Sequence, residues 1–238
     1  MTPVRVLAPV IGMHRSGTSA TAGCLQRLGV DFGKDLMPAD PANPRGYYES
    51  LPVVKLHEEL LHGLGARWDS PEIRGDWLLT QEADTARRRI VEWLSALGGG
   101  ISGVKDPRMA LFGPLWREAC SQTGVEMRPV MVMRGADAIS NSLARRDGIS
   151  RQRSRQLMAV YGSGVMDWVC WWMYPIGSAR VMRAPSVIRF ERLMANPVSE
   201  LAGGLLDNFR DVLPVLRRPD AGAWDAVTDF LDEGLVHG

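Results

Sequence analysis

A strand-like apolar run over residues 4–11 stops at Gly12. It passes through Met13-His14-Arg15-Ser16-Gly17-Thr18-Ser19 into a helical pattern that reads from Thr18 to Gly29. No other stretch restricts the fold so strongly. A strand, a turn of Gly, Ser and Thr, and a helix together make an anion cradle. Backbone N–H groups and the positive helix end converge on one spot, and glycine lets an anion come close to the main chain.

The cradle differs from the common nucleotide loop in one informative way. A Walker A loop needs Gly, four residues, then Gly-Lys-Ser/Thr. Gly12 and Gly17 have that separation, but Thr18 stands where the lysine belongs, and the cation is Arg15, two residues before the second glycine. Without that lysine no point charge reaches the β- and γ-phosphates of a nucleoside triphosphate. The loop is therefore expected to hold a phosphate, but not as an ATP-driven kinase does.

Downstream, strand and helix patterns alternate, which predicts an α/β fold: a three-layer sandwich around a mostly parallel sheet, of the P-loop nucleotide-binding type. Helices are expected at about 52–64, after Thr80 as a cap, around 110–120, through about Arg146, at 152–173, and from Asn196-Pro197 onward. Strands are expected at 101–104, 129–133 and 187–190. The first two end at Lys105 and Arg134. The intervening Gly33–Gly46 stretch is rich in Pro, Asp, Asn and Gly and reads as irregular loop. One domain over residues 1–238 is the default for a chain of this length.

The formal net charge of +1 creates no global field that favours nucleic acid or an anionic membrane. No apolar run approaches the ~18 residues of a membrane span, and the first strand leads straight into the loop, so a cytoplasmic protein is expected. Cys24, Cys120 and Cys170 are far apart and show no metal spacing; reduced, buried thiols are expected. Trp168, Trp171 and Trp172 have the helical spacing of core residues.

Four motifs carry the chemistry. The first is Gly12–Ser19. The second is Arg134, at the end of an apolar strand, with Ser142 eight positions later on the next helix. There a guanidinium fork and a hydroxyl near a positive helix end would share one phosphate. The third is Val187-Ile-Arg-Phe-Glu-Arg-Leu-Met-Ala-Asn-Pro197, and the fourth Gly46-Tyr47-Tyr48-Glu49. Lys105-Asp106-Pro107-Arg108 adds a strand-end pair of cations. In order and spacing these motifs resemble those of sulfotransferases that use 3′-phosphoadenosine 5′-phosphosulfate, the bacterial and carbohydrate-type members in particular.

The resemblance implies that His14, Arg15, Ser16, Gly17, Thr18 and Ser19 meet the donor's 5′-phosphosulfate, His14 by positioning the backbone. Arg15 would stabilise charge on the leaving oxygen, and Arg134 and Ser142 would hold the 3′-phosphate. It implies that Glu49 is the general base toward a hydroxyl of a small-molecule, sugar or lipid acceptor. Lys105 and Arg108 would be acceptor-side or sulfonate-side cations. Adenosine 3′,5′-bisphosphate would leave, and no metal would be needed, because cationic side chains neutralise the transferring group. The resemblance names neither the acceptor nor an aromatic for the adenine, and the oligomeric state is left open; the loops Asp31–Glu49, Trp68–Trp77 and 148–156 are expected to build the acceptor pocket. Arg151, Arg153 and Arg155 read as a solvated run or a lid near the nucleotide. Two other readings remain: a P-loop phosphotransferase acting on a nucleoside or sugar, with Asp106 as its strand-end metal carboxylate, and a non-catalytic nucleotide-binding module.

Overall fold

The fold is known from a computed structural model that describes residues 5–173, 182–216 and 221–232. It is α/β, with a parallel sheet between two layers of helices. The chain runs β1 (Arg5–Ile11), α1 (Thr18–Arg27), α2 (Leu51–Gly63), α3 (Gln81–Ser95), β2 (Gly100–Lys105), α4 (Met109–Thr123), β3 (Glu126–Met127) and β4 (Val130–Met133). It continues with α5 (Ala136–Asp147), α6 (Arg151–Met173), β5 (Ser186–Arg189), α7 (Phe190–Ala195), α8 (Pro197–Phe209) and α9 (Ala221–Asp232).

The strand order is β2-β1-β4-β5, every pair parallel. β1, expected at residues 4–11, is an inner strand of the sheet, and its residues 6–11 are all buried. Its side chains alternate between two cores. Leu7 and Ile11 face the core built from α2 to α6, while Val6, Ala8 and Val10 face the core of α1, α7, α8 and α9. Trp168 is fully buried in the first core, and Trp171 and Trp172 pack against it.

Caps agree with the sequence. Thr80 accepts from the Ala83 N–H at 3.2 Å to start α3, and Asn196 accepts from the Ser199 N–H at 3.1 Å to start α8, whose first residue is Pro197. Three expectations need correction. The strand expected at 129–133 has a forerunner, β3, on the same side of β1. Pro129, with no N–H for the ladder, interrupts the two. Phe190 begins α7 rather than ending β5. Cys24 and Cys120 are buried, but Cys170 lies on the exposed face of α6. No helix among the described residues is long and apolar enough to cross a membrane. Arg217-Arg218, the one tight basic pair that the sequence offers in its C-terminal part, lies outside the described residues.

Candidate functional site

Because the sheet order is β2-β1-β4-β5, the connections that leave the carboxyl ends of β1 and β4 run in opposite directions, toward β2 and toward β5. In an open α/β sheet that switch point opens a crevice. Here a cavity of about 760 Å³ lies there, within the range of small-molecule sites. Every strand of the four-strand path delivers residues to it. β1 feeds the loop from Gly12, β2 ends at Lys105, β4 gives way to Arg134, and β5 to Phe190.

The first loop is a tight turn. The Ser16 N–H donates to the Met13 carbonyl at 3.1 Å, and Arg15 (φ 67°) and Gly17 (φ 95°) are both left-handed. Left-handed residues alternating with ordinary ones turn successive N–H groups to one side, the form of an anion nest. Gly17 has no alternative: a Cβ there would sit 2.1 Å from the Phe190 ring. The Ser16 hydroxyl is buried without a hydrogen-bond partner among the described residues. An orphaned hydroxyl beside a nest is a ready donor for an anion's oxygen.

At one end of the cavity, the residues assigned to the two ends of the donor meet. Arg15 Nε donates to Ser142 Oγ at 2.8 Å, and Arg134 Nη1 donates to the Arg15 carbonyl at 3.0 Å. The Arg134 guanidinium lies over the Phe190 ring, 4.5 Å from its centre. Both arginines are driven toward easier deprotonation, chiefly by burial. Arg146 and then Arg134 add to this at Arg15, and Arg145 adds to it at Arg134. The local charge is an excess of cations.

The other end holds a buried ion pair. Lys105 Nζ lies 2.5 Å from Glu49 Oε1 and 3.2 Å from Ser19 Oγ, and Arg108 Nη2 is 3.6 Å from Glu49 Oε2. Glu49 is only 6% exposed, so it is no ordinary surface carboxylate ahead of α2. Arg108 also reaches Glu58 Oε1 at 2.8 Å. Its aim is set by Asp106, whose Oδ1 accepts from both the backbone N–H and Nε of Arg108. Asp106 Oδ2 faces His57 Nδ1 at 2.9 Å, and the Trp116 indole donates to His57 Nε2 at 3.0 Å. Trp116 can only donate, so Nε2 accepts and the proton sits on Nδ1, donated to Asp106. Burial pushes the Asp106 carboxyl up, but Arg108 and His57 overcome it and hold the group far below the usual carboxylate range. With both oxygens engaged and no exposure, Asp106 does not face the cavity. That is not the geometry of a metal carboxylate.

His14 lines the cavity with its ring 4.6 Å from Trp68 and 5.3 Å from Tyr161. Burial, reinforced mainly by Arg108, pushes its pKa down to about 3, so it is neutral at physiological pH. The unfolded chain, with an ordinary histidine near 6.5, binds the proton first. The contribution of neutral His14 to stability is thus complete above about pH 6.5 and declines below it, by at most about 1.4 kcal/mol per pH unit. Urea denaturation at pH 7.5 and pH 5 checks this. His14→Phe, which keeps a ring against Trp68, is expected to show a shallower acid decline than the unmodified chain, and equal declines would contradict it.

The sequence pointed to Arg15, Glu49, Lys105, Arg108, Arg134 and Ser142, and the structure brings all six around one crevice. It does not bring Arg151, Arg153 or Arg155 there. Arg153 is spent on Glu72 and the Asp69 carbonyl instead, as a surface brace. Tyr47, Trp68, Arg146 and Phe190 also line the cavity, none of them given an individual role by the sequence. For Tyr47 and Phe190 a signal existed, since both lie inside quoted motifs. Trp68 opens one of the loops expected to build the acceptor pocket, whereas Arg146 had only its place at the end of the helix after Arg134. Compared with known proteins, the chain matches no family model and no curated protein at a significant level.

Proposed function

We propose that the chain is a sulfotransferase that moves a sulfuryl group from 3′-phosphoadenosine 5′-phosphosulfate to a hydroxyl of a small-molecule, sugar or lipid acceptor. The observation that carries this reading is the contact of Arg15 with Ser142, with Arg134 bonded to the same arginine, in one crevice with the paired Glu49 and Lys105. One crevice thus has cations at two places and a carboxylate beyond them. That suits a donor with two anionic ends and an acceptor that must lose a proton.

The donor supplies a sulfuryl group on a labile phosphosulfate anhydride. The nest at Gly12–Gly17 and the free hydroxyl of Ser16 grip its 5′-phosphate, and Arg134 with Ser142 holds the ribose 3′-phosphate. Arg15, now held by a neutral hydroxyl, exchanges it for an anionic oxygen and meets the charge that builds on the leaving phosphate. Lys105 turns from Glu49 toward the sulfonate. That movement frees Glu49 Oε1 to accept the acceptor's proton as the acceptor oxygen–sulfur bond forms and the sulfur–phosphate oxygen bond breaks.

Calorimetry with adenosine 3′,5′-bisphosphate in EDTA tests the reading. Sub-millimolar binding, on the order of −4 kcal/mol or stronger, is expected. A strict requirement for Mg-ATP would favour a phosphotransferase and overturn it. Arg134→Ala should weaken binding of the bisphosphate by about tenfold or more while affecting adenosine 5′-phosphosulfate far less. Equal losses would remove Arg134 from the 3′-phosphate.

A further inference from the structure

We propose that Arg146 is a third guanidinium of the ribose 3′-phosphate site, held ready for that anion by Tyr47. The proposal rests on the donor reading above and adds a residue that no motif assigned. Arg146 lies four positions after Ser142 on α5, and residues at i and i+4 share one helix face. It lines the same cavity as Arg15 and Arg134. Arg15 from the first loop bonds the Ser142 hydroxyl, Arg134 from the end of β4 bonds the Arg15 carbonyl, and Arg146 stands one turn of α5 beyond Ser142.

What holds Arg146 is almost neutral. Its Nη2 donates to the Tyr47 hydroxyl at 2.7 Å, and its guanidinium lies 5.4 Å from the centre of that ring. The nearest carboxylate, on its neighbour Asp147, is at 3.8 Å, the outer limit of an ion pair. Tyr47 in turn donates to Asp40 Oδ2 at 2.8 Å, so the loop of residues 37–47 fixes the guanidinium without neutralising it closely. An arginine steered by a phenol keeps most of its charge for a ligand. Among charged neighbours, Arg146 contributes most to destabilising the charge on Arg15. Across the whole cavity lining, six Lys and Arg side chains stand against four carboxylates. Asp147 offsets part of the repulsion at Arg15; what remains of two like charges held close costs energy, and an anion that bridges them recovers it.

Calorimetry in EDTA with two nucleotides tests this. Arg146→Gln should weaken adenosine 3′,5′-bisphosphate by about tenfold or more and change adenosine 5′-monophosphate by less than about twofold, since a charge-assisted bond is worth ~1.5–3 kcal/mol. Arg146→Lys, which keeps the charge but loses the fork, should fall between. If Arg146 only braced the loop through Tyr47, both nucleotides would weaken together, and that result overturns the proposal. So does unchanged bisphosphate affinity in Arg146→Gln. Should the unmodified chain itself fail to bind the bisphosphate without metal, the donor reading falls and takes this role with it. Where the unmodified chain binds and the glutamine variant binds equally, only Arg146 is removed.

Discussion

Replacing Glu49 by glutamine is expected to lower turnover by about 10²–10⁴-fold, the contribution of a positioned general base, while leaving donor affinity equal or tighter. The asymmetry comes from Lys105. Its ammonium is 3% exposed at the side chain and held 2.5 Å from Glu49 Oε1, so Glu49 competes with any incoming anion for it. Glutamine removes the competitor and leaves Lys105 to the sulfonate. Without ligand the same change leaves a buried ammonium poorly compensated. Thermal stability should therefore fall in the free protein and recover as nucleotide is added, because a ligand that binds only the folded state stabilises it by mass action. Steady-state assays with the sulfonate donor and pooled hydroxylated acceptors measure the first effect, and melting curves with and without adenosine 3′,5′-bisphosphate measure the second. Turnover within about threefold of the unmodified chain would exclude Glu49 as the base.

Asp106→Asn is expected to destabilise the fold by about 3–5 kcal/mol, the usual consequence of breaking a buried charge pair. Asp106 is completely buried and accepts from the Arg108 N–H, from Arg108 Nε and from His57. Asparagine keeps one acceptor oxygen and turns an NH₂ toward either Arg108 or His57, both of which donate. His57 cannot adapt by moving its proton, because the Trp116 indole N–H occupies the other ring nitrogen. Glu49 and Glu58 still face Arg108 and limit the loss. For a domain of this length the change corresponds to a fall in Tm on the order of 10 °C. Urea denaturation gives the energy directly, and a loss below about 1 kcal/mol would show that Arg108 is held by the two glutamates rather than by Asp106.

Much of the fold could be read from the chain because its signals are local. The apolar run before Gly12 reads as a strand, and Thr80 and Asn196-Pro197 read as helix starts. Each conclusion rests on residues within one or two turns. The reading failed where a neighbour in space decided the outcome. Pro129 splits β3 from β4 only because that stretch lies against β1, and Cys170 is exposed only because α6 turns that face away from both cores. His57 had no motif, yet it is as buried as any core leucine because Asp106 and Trp116 satisfy both its nitrogens. The candidate site divides in the same way. Gly17, Arg15 and Ser142 are recognisable by spacing, whereas Arg146 becomes a cavity residue only through packing.

The sequence by itself determined the kind of cradle this chain makes: a strand, a lysine-free glycine turn and a helix, since backbone sterics and helix-end N–H groups act within a dozen residues. Only the tertiary structure decided that the cradle shares a crevice with Glu49, Lys105 and Arg134. That depends on strand order. With β1 between β2 and β4, the carboxyl ends of strands distant in the chain open onto one cavity, and no local pattern encodes which strands become neighbours.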